Sequence, residues 1–346
     1  MYKLLIRPIL FLFPAEQAHK IVMGALKVAR YIPGARAITR MCFCRRSRSL
    51  ERELFGIKFP NPVGLAAGLD KNGEFYNDLA NLGFGFIEIG ALTPEPQPGN
   101  PAPRLFRLPK DRALINRMGI NNNGAKAALK TLKKHNPRVI VAANISKNSS
   151  TPNDQAYKDY CRSLALLYDF VDFFVLNVSC PNVKNLQELQ GNSMLTQVME
   201  AVMEVRRYNE SQRPILLKIS PDLEQEQLDE IIHLALINGI DGIVATNTTR
   251  SREGLKTAEK TVASIGEGGL SGAPLFEKSL ATVKYVHEKS NGLLPIIASG
   301  GIMTPQQAGQ MLDAGASLVE VYTGFIYNGP AFVKRIVRYL KRKKKK

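Results

Sequence analysis

The chain of 346 residues carries a formal net charge of +17 at pH 7, and 45% of its residues are hydrophobic. This size allows a large core in one α/β domain or in two smaller domains. No run of about 18 apolar residues is present, which excludes a membrane-spanning helix. Four cysteines are too few for a disulfide scaffold, and Cys42 and Cys44 have no matching His or Cys cluster with which to bind zinc.

The positive charge is concentrated at the two ends of the chain. Residues 1–50 carry a net charge of +9 and residues 334–346 carry another +9, so the 283 residues between them are close to neutral. Such ends can bind polyanions, and an anionic membrane surface is one candidate; a solvated, disordered C-terminal tail is the alternative. The neutral body and the lack of a nucleic-acid-binding motif argue against nucleic acid as a partner.

The N-terminal segment predicts two short amphipathic helices, one on each side of Pro14, with basic residues beside an apolar face. Arg7 and Pro8 interrupt the apolar run and no convincing cleavage site follows, which argues against a signal peptide. We predict attachment to a membrane surface; a helical hairpin packed on the main body is the alternative. The apolar positions are Leu4, Leu5, Ile9, Leu12, Phe13, Ala18, Ile21, Val22, Ala25 and Leu26.

From residue 55 onward, short β-rich runs alternate with helical or polar stretches. There are eight runs, each nearly continuously apolar, as expected of strands that are buried on both faces. Eight β/α units in about 280 residues match the size of a (β/α)8 TIM barrel; a doubly wound open sheet is the alternative. The runs are NPVGLAAG, GFIEIGALT, RVIVAANIS, DFFVLNVSC, PILLKIS, GIVATNT, PIIASGG and LVEVYTG.

Polar or glycine residues stand at the end of every one of these runs. A barrel brings the C-terminal ends of its strands to one rim, where active sites of this fold are built. Gly300, Gly301 and Gly324, at the ends of the last two runs, allow backbone N–H groups to approach a phosphate closely. We therefore predict a phosphate-bearing cofactor, although tight turns alone would also explain the glycines.

Two lysines and several asparagines lie at these strand ends. Lys218 lies within LLKIS, and because a buried ammonium group is costly unless it is paired, a cofactor or substrate anion is its predicted partner. Lys71 could bind a substrate carboxylate, or pair with Asp70 or Glu74. The asparagines suit a flat ligand with several carbonyl and N–H groups, such as a pyrimidine. They are Asn116, Asn144, Asn177, Asn182 and Asn247.

Cys180, in NVSCPN, ends the fourth run. The four histidines are at positions 19, 135, 233 and 287, and none follows a predicted barrel strand, so a Cys–His acyl-transfer pair is weakly supported. The chain contains no HExxH, GxSxG or Walker motif. The thiol is therefore predicted to act as a base more readily than as a hydrolytic nucleophile.

The ordered motifs resemble those of the dihydroorotate dehydrogenases, flavoproteins of pyrimidine synthesis, over nearly the whole chain. The resemblance implies an FMN-binding (β/α)8 barrel that oxidises dihydroorotate to orotate. In that reaction a base takes a proton from C5 and flavin N5 takes hydride from C6. The motifs are NPVGLAAGLDKNGE, IEIGALTPEPQPGNPAPRLFR, INRMGINNNG, NVSCPN, KISPDL, ATNTT, GGLSG, ASGGI and VYTGFIYNGP.

The resemblance also implies roles for individual residues. Cys180 is the implied base, and Lys218 is implied to stabilise negative charge on the reduced flavin. The implied substrate-binding residues are Lys71, Asn116, Arg117, Met118, Gly119, Ile120, Asn177, Asn182, Asn247 and Thr248. The implied FMN-binding residues are Ala67, Gly68, Leu69, Asp70, Lys71, Ala91, Asn144, Asn177, Lys218, Thr246, Gly272, Gly301, Tyr322 and Thr323. No metal site is predicted.

The motifs of two subclasses are mixed in this chain. The N-terminal extension, with His19 and Arg107, resembles the membrane-associated, quinone-reducing class, in which extra helices frame a quinone tunnel. Cys180 resembles instead the soluble class, which passes electrons to fumarate or NAD. The extension adds a whole helical segment, whereas the exchange of Ser for Cys changes one atom, so the extension is the stronger guide to the class. We therefore predict quinone reduction by a peripheral protein on the cytoplasmic side of a bacterial inner membrane, with fumarate or NAD as the alternative acceptor.

Four further positions depart from the usual quinone-class residues. Ile120 stands where Phe is usual, Val183 where Thr is usual, Ala91 where Thr is frequent and Ser146 where Gly is usual. A serine base needs help to lose its proton, whereas a free thiol has a pKa of about 8.5. We hypothesise that a thiol at position 180 makes a polar relay at position 183 less necessary. The predicted regions are the N-terminal membrane and quinone-site extension 1–45, the barrel 46–335 and the basic tail 336–346.

Overall fold

The computed structural model describes residues 2–45, 47–135, 137–179 and 192–344. Cys180, Asn182 and Val183 lie outside these ranges. The strands are β1 (Arg52–Leu54), β2 (Ile57–Phe59), β3 (Val63–Leu65), β4 (Phe86–Leu92), β5 (Leu105–Leu108), β6 (Ala113–Asn116), β7 (Ile140–Ile145), β8 (Phe173–Asn177), β9 (Ile215–Ile219), β10 (Gly242–Ala245), β11 (Gly269–Gly272), β12 (Ile296–Ser299) and β13 (Leu318–Val321).

Helices flank or follow these strands along the chain. They are α1 (Arg7–Leu12), α2 (Ala15–Ala29), α3 (Ala35–Phe43), α4 (Tyr76–Leu79), α5 (Ala125–Lys134), α6 (Ala156–Leu167), α7 (Asn192–Arg207), α8 (Gln225–Ile237), α9 (Glu259–Ile265), α10 (Phe276–Lys289), α11 (Pro305–Asp313), α12 (Thr323–Asn328) and α13 (Phe332–Lys343).

Eight parallel strands close into a barrel in the order β3, β4, β7, β8, β9, β10, β12, β13 and back to β3. These are the eight runs predicted as strands, so the (β/α)8 prediction is confirmed. The closed ring excludes the doubly wound open sheet, because that sheet would leave two edge strands unpaired.

The lumen of the barrel changes character along its axis. Near the N-terminal ends of the strands it is filled by an apolar cluster that includes Phe86, Phe173 and Leu216, and Phe59 of β2 packs against this cluster. Side chains two residues apart on a strand point to the same face. On seven of the barrel strands, the residue two positions after a member of this apolar cluster is polar. These residues are Glu88, Asn144, Asn177, Lys218, Thr246, Ser299 and Glu320, and all seven are buried.

Two small sheets cover the two ends of the barrel. The hairpin β1–β2 carries Phe59 to the apolar end. At the polar end, β5, β6 and β11 form an antiparallel sheet with β6 in the middle. Neither sheet was predicted from the sequence, because their strands are only three or four residues long and β11 pairs with β6 from a distant part of the chain.

The N-terminal segment forms helices, as predicted, and it contacts the main body while leaving much apolar surface exposed. Tyr2 donates from its hydroxyl to the carbonyl of Ile326 at 2.7 Å, and α2 buries Ala18 and Met23. Leu4 is 79% exposed and Leu12 is 83% exposed. Within the described ranges, no helix is both long enough and apolar enough to cross a bilayer.

The basic C-terminal segment continues α13 as far as Lys343, across the predicted start of the tail at residue 336. The apolar face of α13 is buried, including Ile336 and Leu340. Lys344 donates to the carbonyl of Ser49 at 2.7 Å. Most of the predicted tail is thus helical and packed on the barrel.

Candidate active site

A cavity opens at the polar end of the barrel, with an empty volume of about 1210 Å³ including its mouth. The residues that end β3, β4, β8, β9, β10, β12 and β13 line it, and the small sheet of β5, β6 and β11 covers one side. This is the rim at which the sequence placed the active site. The cavity exists because the lumen residues at this level are small or polar, whereas aromatic side chains fill the opposite end.

The floor of the cavity carries a buried charge cluster. Lys218 Nζ lies 3.0 Å from Glu88 Oε2 and 3.9 Å from Glu320 Oε2. The partner of Lys218 is therefore a carboxylate of this chain, and not only the ligand anion that the sequence suggested. Glu88 also accepts hydrogen bonds from Asn144 Nδ2 at 2.6 Å and from the amide of Ala67 at 3.0 Å.

A second group of polar side chains lies beside this floor. Asn247 Nδ2 donates to Asn177 Oδ1 and to Ser179 Oγ, both at 3.2 Å. The carbonyl of Asn177 accepts from the buried hydroxyls of Ser146 and Tyr160. Ser146, one of the departures noted in the sequence, therefore helps to hold the backbone of Asn177 at the end of β8.

The third part of the cavity is a set of backbone turns. Gly301 has a φ of 71°, and a Cβ added there would lie 2.2 Å from the Cα of Phe276, so only glycine fits. A Cβ added at Gly324 would lie 2.0 Å from the carbonyl oxygen of Ile302, which shows how closely this loop approaches the start of α12. The first N–H groups of α12 have no partners within the helix, so they can bind an anion.

The sequence profile of the dihydroorotate dehydrogenases matches residues 49–343. The dihydroorotate dehydrogenase (quinone) of Christiangramia forsetii is 50% identical over 336 residues, covering 97% of each chain. That of Coxiella burnetii is 45% identical over 345 residues, covering 97% of this chain and 95% of its own. The chain belongs to the dihydroorotate dehydrogenase family. Its class as an oxidoreductase, predicted from the motifs, is confirmed.

Solved structures of this family share the fold. The crystal structure of ligand-free DHODH from Eimeria tenella superposes with a TM-score of 0.87 at 36% identity, covering 96% of this chain and 95% of that one. The structure of DHODH from the same organism in complex with ferulenol gives a TM-score of 0.84, also at 36% identity, covering 94% of this chain and 90% of that one. Because the likeness covers nearly the full length of each chain, it extends beyond the barrel to the N-terminal helices.

Most of the residues implied by resemblance to dihydroorotate dehydrogenases line the one cavity. Those implied for the cofactor are Ala67, Gly68, Lys71, Ala91, Asn177, Lys218, Thr246, Gly272, Gly301, Tyr322 and Thr323. Those implied for the substrate are Lys71, Asn116, Met118, Gly119, Ile120, Asn177, Asn247 and Thr248. The barrel and the cover sheet thus bring together side chains from widely separated parts of the sequence.

Four implied residues lie away from the cavity wall. Leu69 is part of the core, and the Asp70 carboxylate accepts from the amides of Glu74 and Phe75, each at 2.8 Å. Burial raises the pKa of Asp70 to about 6. The other two are Asn144, which lies below the floor against Glu88, and Arg117, whose side chain donates to the carbonyl of Pro103 and stacks over Phe106. Cys180 and Asn182 lie outside the described residues.

Lys71 connects the cavity to the N-terminal helices. Its ammonium group donates to the carbonyl of Gly68 at 2.9 Å. Burial lowers the pKa of Lys71 to about 8, while Glu16 on α2 acts in the opposite direction. Burial and the nearby Lys71 charge lower the pKa of His19 to about 4, so this imidazole is neutral at pH 7. A neutral imidazole can both donate and accept a hydrogen bond.

Arg107, on β5, contacts the other N-terminal helix. Its guanidinium donates to the carbonyl of Phe13 at 2.7 Å and lies 4.5 Å from the centre of the Phe11 ring. His19 and Arg107 do not line the main cavity. His19 instead lies on α2 near Lys71, and Arg107 lies on β5 against the Phe11 ring of α1.

Two functional candidates escaped the sequence reasoning, namely Glu88 and Glu320. Each is a glutamate inside an otherwise apolar strand, in FIEIGAL and LVEV. The argument that identified Lys218, that a buried charge needs a partner, applies to them equally and could have found them. Within the described ranges, no group of three His, Cys, Asp or Glu side chains could hold a metal ion.

Proposed function

We propose that this chain oxidises dihydroorotate to orotate with FMN as its cofactor, and that it passes the electrons to a membrane quinone. Family membership supports the oxidation, and the names of the near-full-length relatives support quinone as the acceptor. The observation that carries the proposal is that one cavity joins the Lys218 floor, the glycine turns and the asparagine group.

The cavity fits a flat heteroaromatic group that carries a phosphate. The turn at Gly301 and the start of α12 at Thr323 offer backbone N–H groups to the phosphate, as argued above. When bound, FMN supplies the acceptor for the hydride that leaves C6. Lys218 presents positive charge to the same place.

The asparagine group suits the pyrimidine ring of the substrate. Asn116, Asn177 and Asn247 offer amide donors and acceptors, and Thr248 offers a hydroxyl and a backbone amide. Lys71 faces the same cavity and supplies an ammonium group for the substrate carboxylate. This set holds the ring flat, with its carboxylate directed toward α2.

The proposed base is Cys180, which takes the C5 proton as thiolate while hydride leaves C6. Loss of the C5 proton and the C6 hydride leaves a C5–C6 double bond, and the product is orotate. The same thiol favours the second candidate function, the same oxidation with fumarate or NAD as acceptor, because a cysteine base resembles the soluble class. The N-terminal helices favour quinone over that candidate.

The quinone is proposed to enter between the N-terminal helices and the cover sheet, past His19 and Arg107. The exposed apolar residues of α1 and the basic residues near them would bind the cytoplasmic surface of an anionic membrane peripherally. A quinone dissolved in the bilayer would then reach the flavin without leaving apolar surroundings.

The test is anaerobic oxidation of dihydroorotate by the purified chain, offered a soluble quinone, fumarate or NAD in parallel. We expect turnover with quinone alone. A variant that lacks residues 1–40 should lose quinone turnover while dihydroorotate still bleaches the flavin. Faster turnover with fumarate or NAD would overturn the choice of acceptor, and failure of dihydroorotate to bleach the flavin would overturn the oxidation itself.

A further inference from the structure

The floor of the cavity holds one ammonium group and two carboxyl groups that are shut away from solvent. The Lys218 side chain is 7% exposed, and those of Glu88 and Glu320 are 0% exposed. Lys218 Nζ lies 3.2 and 3.0 Å from the two oxygens of Glu88, and 3.9 Å from Oε2 of Glu320. If both carboxyl groups were ionised beside one ammonium group, the buried cluster would carry a net charge of −1 away from solvent, which is strongly unfavourable.

The two carboxyl groups have different surroundings. Glu88 accepts hydrogen bonds from Lys218, Asn144 and the amide of Ala67, so each of its oxygens is satisfied as an ionised acceptor. Neither oxygen of Glu320 has a donor within hydrogen-bonding geometry among the described residues. The hydrogen bonds that Glu88 accepts favour its charged form against its burial, whereas the Lys218 ammonium group lies farther from Glu320, at 3.9 Å.

The groups that face Glu320 come from three other strands of the barrel. They are Glu88 on β4, Lys218 on β9 and the hydroxyl of Ser299 on β12. Burial, and then the charge of Glu88, raise the pKa of Glu320 well above its ordinary value. For Glu88, burial is outweighed by Lys218 and by the hydrogen bonds from Asn144 and Ala67, so its pKa is lowered.

We infer that Glu88 and Glu320 hold one proton between them, carried at rest by Glu320, and present a single negative charge to Lys218. A protonated Glu320 can donate a hydrogen bond to the Glu88 carboxylate, which is the usual solution when two carboxyl groups share a buried site. The floor then contains one cation, one anion and one neutral acid. Glu320 is a positioning residue in this arrangement, because it acts through Glu88 on Lys218.

The shared proton lets the floor respond to charge in the cavity. When negative charge appears above Lys218, the ammonium group can turn toward it because Glu88 can take a larger share of the proton. No proton then has to enter from solvent. This consequence rests on the proposed function, whereas the shared proton itself does not.

The first test is infrared spectroscopy of the full chain at pH 8 in H₂O and in D₂O. The wild type should show the deuterium-sensitive carbonyl band of a protonated carboxylic acid, and Glu320→Gln should lack it. Asp70, with a pKa of about 6, is ionised at this pH and does not contribute. Glu53→Gln, at an exposed position, is the matched control and should retain the band.

The second test asks whether the two carboxyl groups are coupled. In Glu88→Gln, Glu320 should ionise to pair with Lys218, so the acid band should disappear in this variant too. Glu88→Gln combined with Glu320→Gln should lower the unfolding temperature by more than the sum of the single changes, because Lys218 then loses both carboxylates of the cavity floor. If the combined variant does not fold, the spectra of the single variants decide.

The inference is overturned if the wild type lacks the acid band or if Glu88→Gln retains it. Additive effects of the two substitutions on the unfolding temperature would also contradict it. These readouts require no turnover, so their failure is distinguishable from failure of the proposed dihydroorotate oxidation.

Discussion

Lys71 shows how a single buried side chain can make ligand binding depend on pH. Its pKa is lowered to about 8 because it is desolvated, so the free site loses this positive charge as the pH rises through that value. A bound carboxylate favours the charged form, so above pH 8 binding must be accompanied by proton uptake. Below pH 8 the lysine is already charged and binding is independent of pH through this group.

We therefore predict that the affinity for orotate falls as the pH rises above 8, by up to about tenfold per pH unit. The measurement is orotate titration followed by flavin absorbance between pH 6.5 and 9.5, in a Cys180→Ala background that removes the titration of the thiol. Lys71→Arg, which stays charged, is the control and should show a flat profile. The same slope in Lys71→Arg would assign the titration to another group.

Cys180 and Val183 lie outside the described residues, and their prediction comes from the sequence. Cys180→Ser should slow flavin reduction by dihydroorotate severely, because a serine hydroxyl needs help to lose its proton. Adding Val183→Thr should restore part of the rate if a hydroxyl at 183 acts as the relay. The measurement is stopped-flow flavin reduction under anaerobic conditions. No recovery in the double variant would rule out the relay.

The sequence predicted the cation of the cavity floor but not its environment. Lys218 was recognisable because a lysine inside LLKIS breaks an apolar run. Lys218 contacts Glu88, which lies 130 residues earlier, because β4 and β9 face each other across the lumen. No local sequence pattern indicates this arrangement. Likewise, the resemblance implied substrate contact by the backbone of residues 116–120, but no local pattern indicated that the Arg117 side chain would lie over Phe106.

At the scale of elements, a salt bridge fixes α2 to the main body. Arg104 donates to Glu16 from Nη2 at 2.9 Å and from Nε at 3.2 Å, and both side chains are largely buried. The Arg104 hydrogen bond and charge lower the pKa of Glu16 despite its partial burial. This pair couples the N-terminal helices to the loop that precedes β5.

Glu16→Gln should loosen α2 by about 1 kcal/mol, which corresponds to a rise of about fivefold in the KM for quinone. Flavin reduction by dihydroorotate should change little, because the cavity floor is untouched. Steady-state kinetics with a soluble quinone give the first quantity and stopped-flow gives the second. Lys284→Ala removes an exposed ion pair on α10 and should alter neither. An unchanged KM in Glu16→Gln would mean that the position of α2 does not affect quinone binding.

Gly64 on β3 and Phe86 on β4 depend on each other. A Cβ added at Gly64 would lie 2.2 Å from Cζ of Phe86, and the Phe86 ring is held by Phe59 and Phe173. Gly64→Ala should therefore be strongly destabilising, and Phe86→Ala should cost about 3–5 kcal/mol through the cavity it leaves. In the double variant the new methyl group enters that space, so urea unfolding should show less than the sum of the two losses. Additive losses would mean that the ring and the methyl group do not compete.

The eight barrel strands were predictable because burial on both faces makes each strand a short apolar run bounded by polar residues. The cover sheet was not predictable in this way. Its strands LFRL, ALIN and GLSG are four residues long, and β11 lies more than 150 residues from β6. Hence the strands that carry the cavity floor could be predicted from the sequence, whereas the cover sheet was represented only by motifs.

At the scale of the whole molecule, apolar and basic surface coincide near the N-terminus. Leu4, Leu12 and Met41 are 79%, 83% and 76% exposed, and α13 places further lysines and arginines beside α3 through Lys334, which donates to the carbonyl of Cys42. Exposed apolar side chains bind a bilayer by burial, and that part of the binding resists salt. The basic part is screened over about 10 Å at 0.1 M salt.

Sedimentation with anionic phospholipid vesicles should therefore show binding that weakens with salt but does not vanish. Leu4→Ser combined with Leu12→Ser should remove the salt-resistant part without lowering the unfolding temperature, because neither side chain is buried. Tyr208→Ser, at a residue 84% exposed on another surface, is the control and should bind as the wild type does. Salt-resistant binding that persists in the double variant would place the membrane contact elsewhere.

The docking of the first residues on the last elements has a consequence for synthesis on the ribosome. Tyr2 reaches the carbonyl of Ile326 and Arg7 reaches that of Tyr327, so the docking site is translated more than 300 residues after the segment that needs it. At about 5–20 residues per second, roughly 15 to 60 seconds pass between synthesis of the N-terminal helices and synthesis of their docking site. Throughout that interval their apolar faces are available to a bilayer or to a chaperone before the barrel has closed.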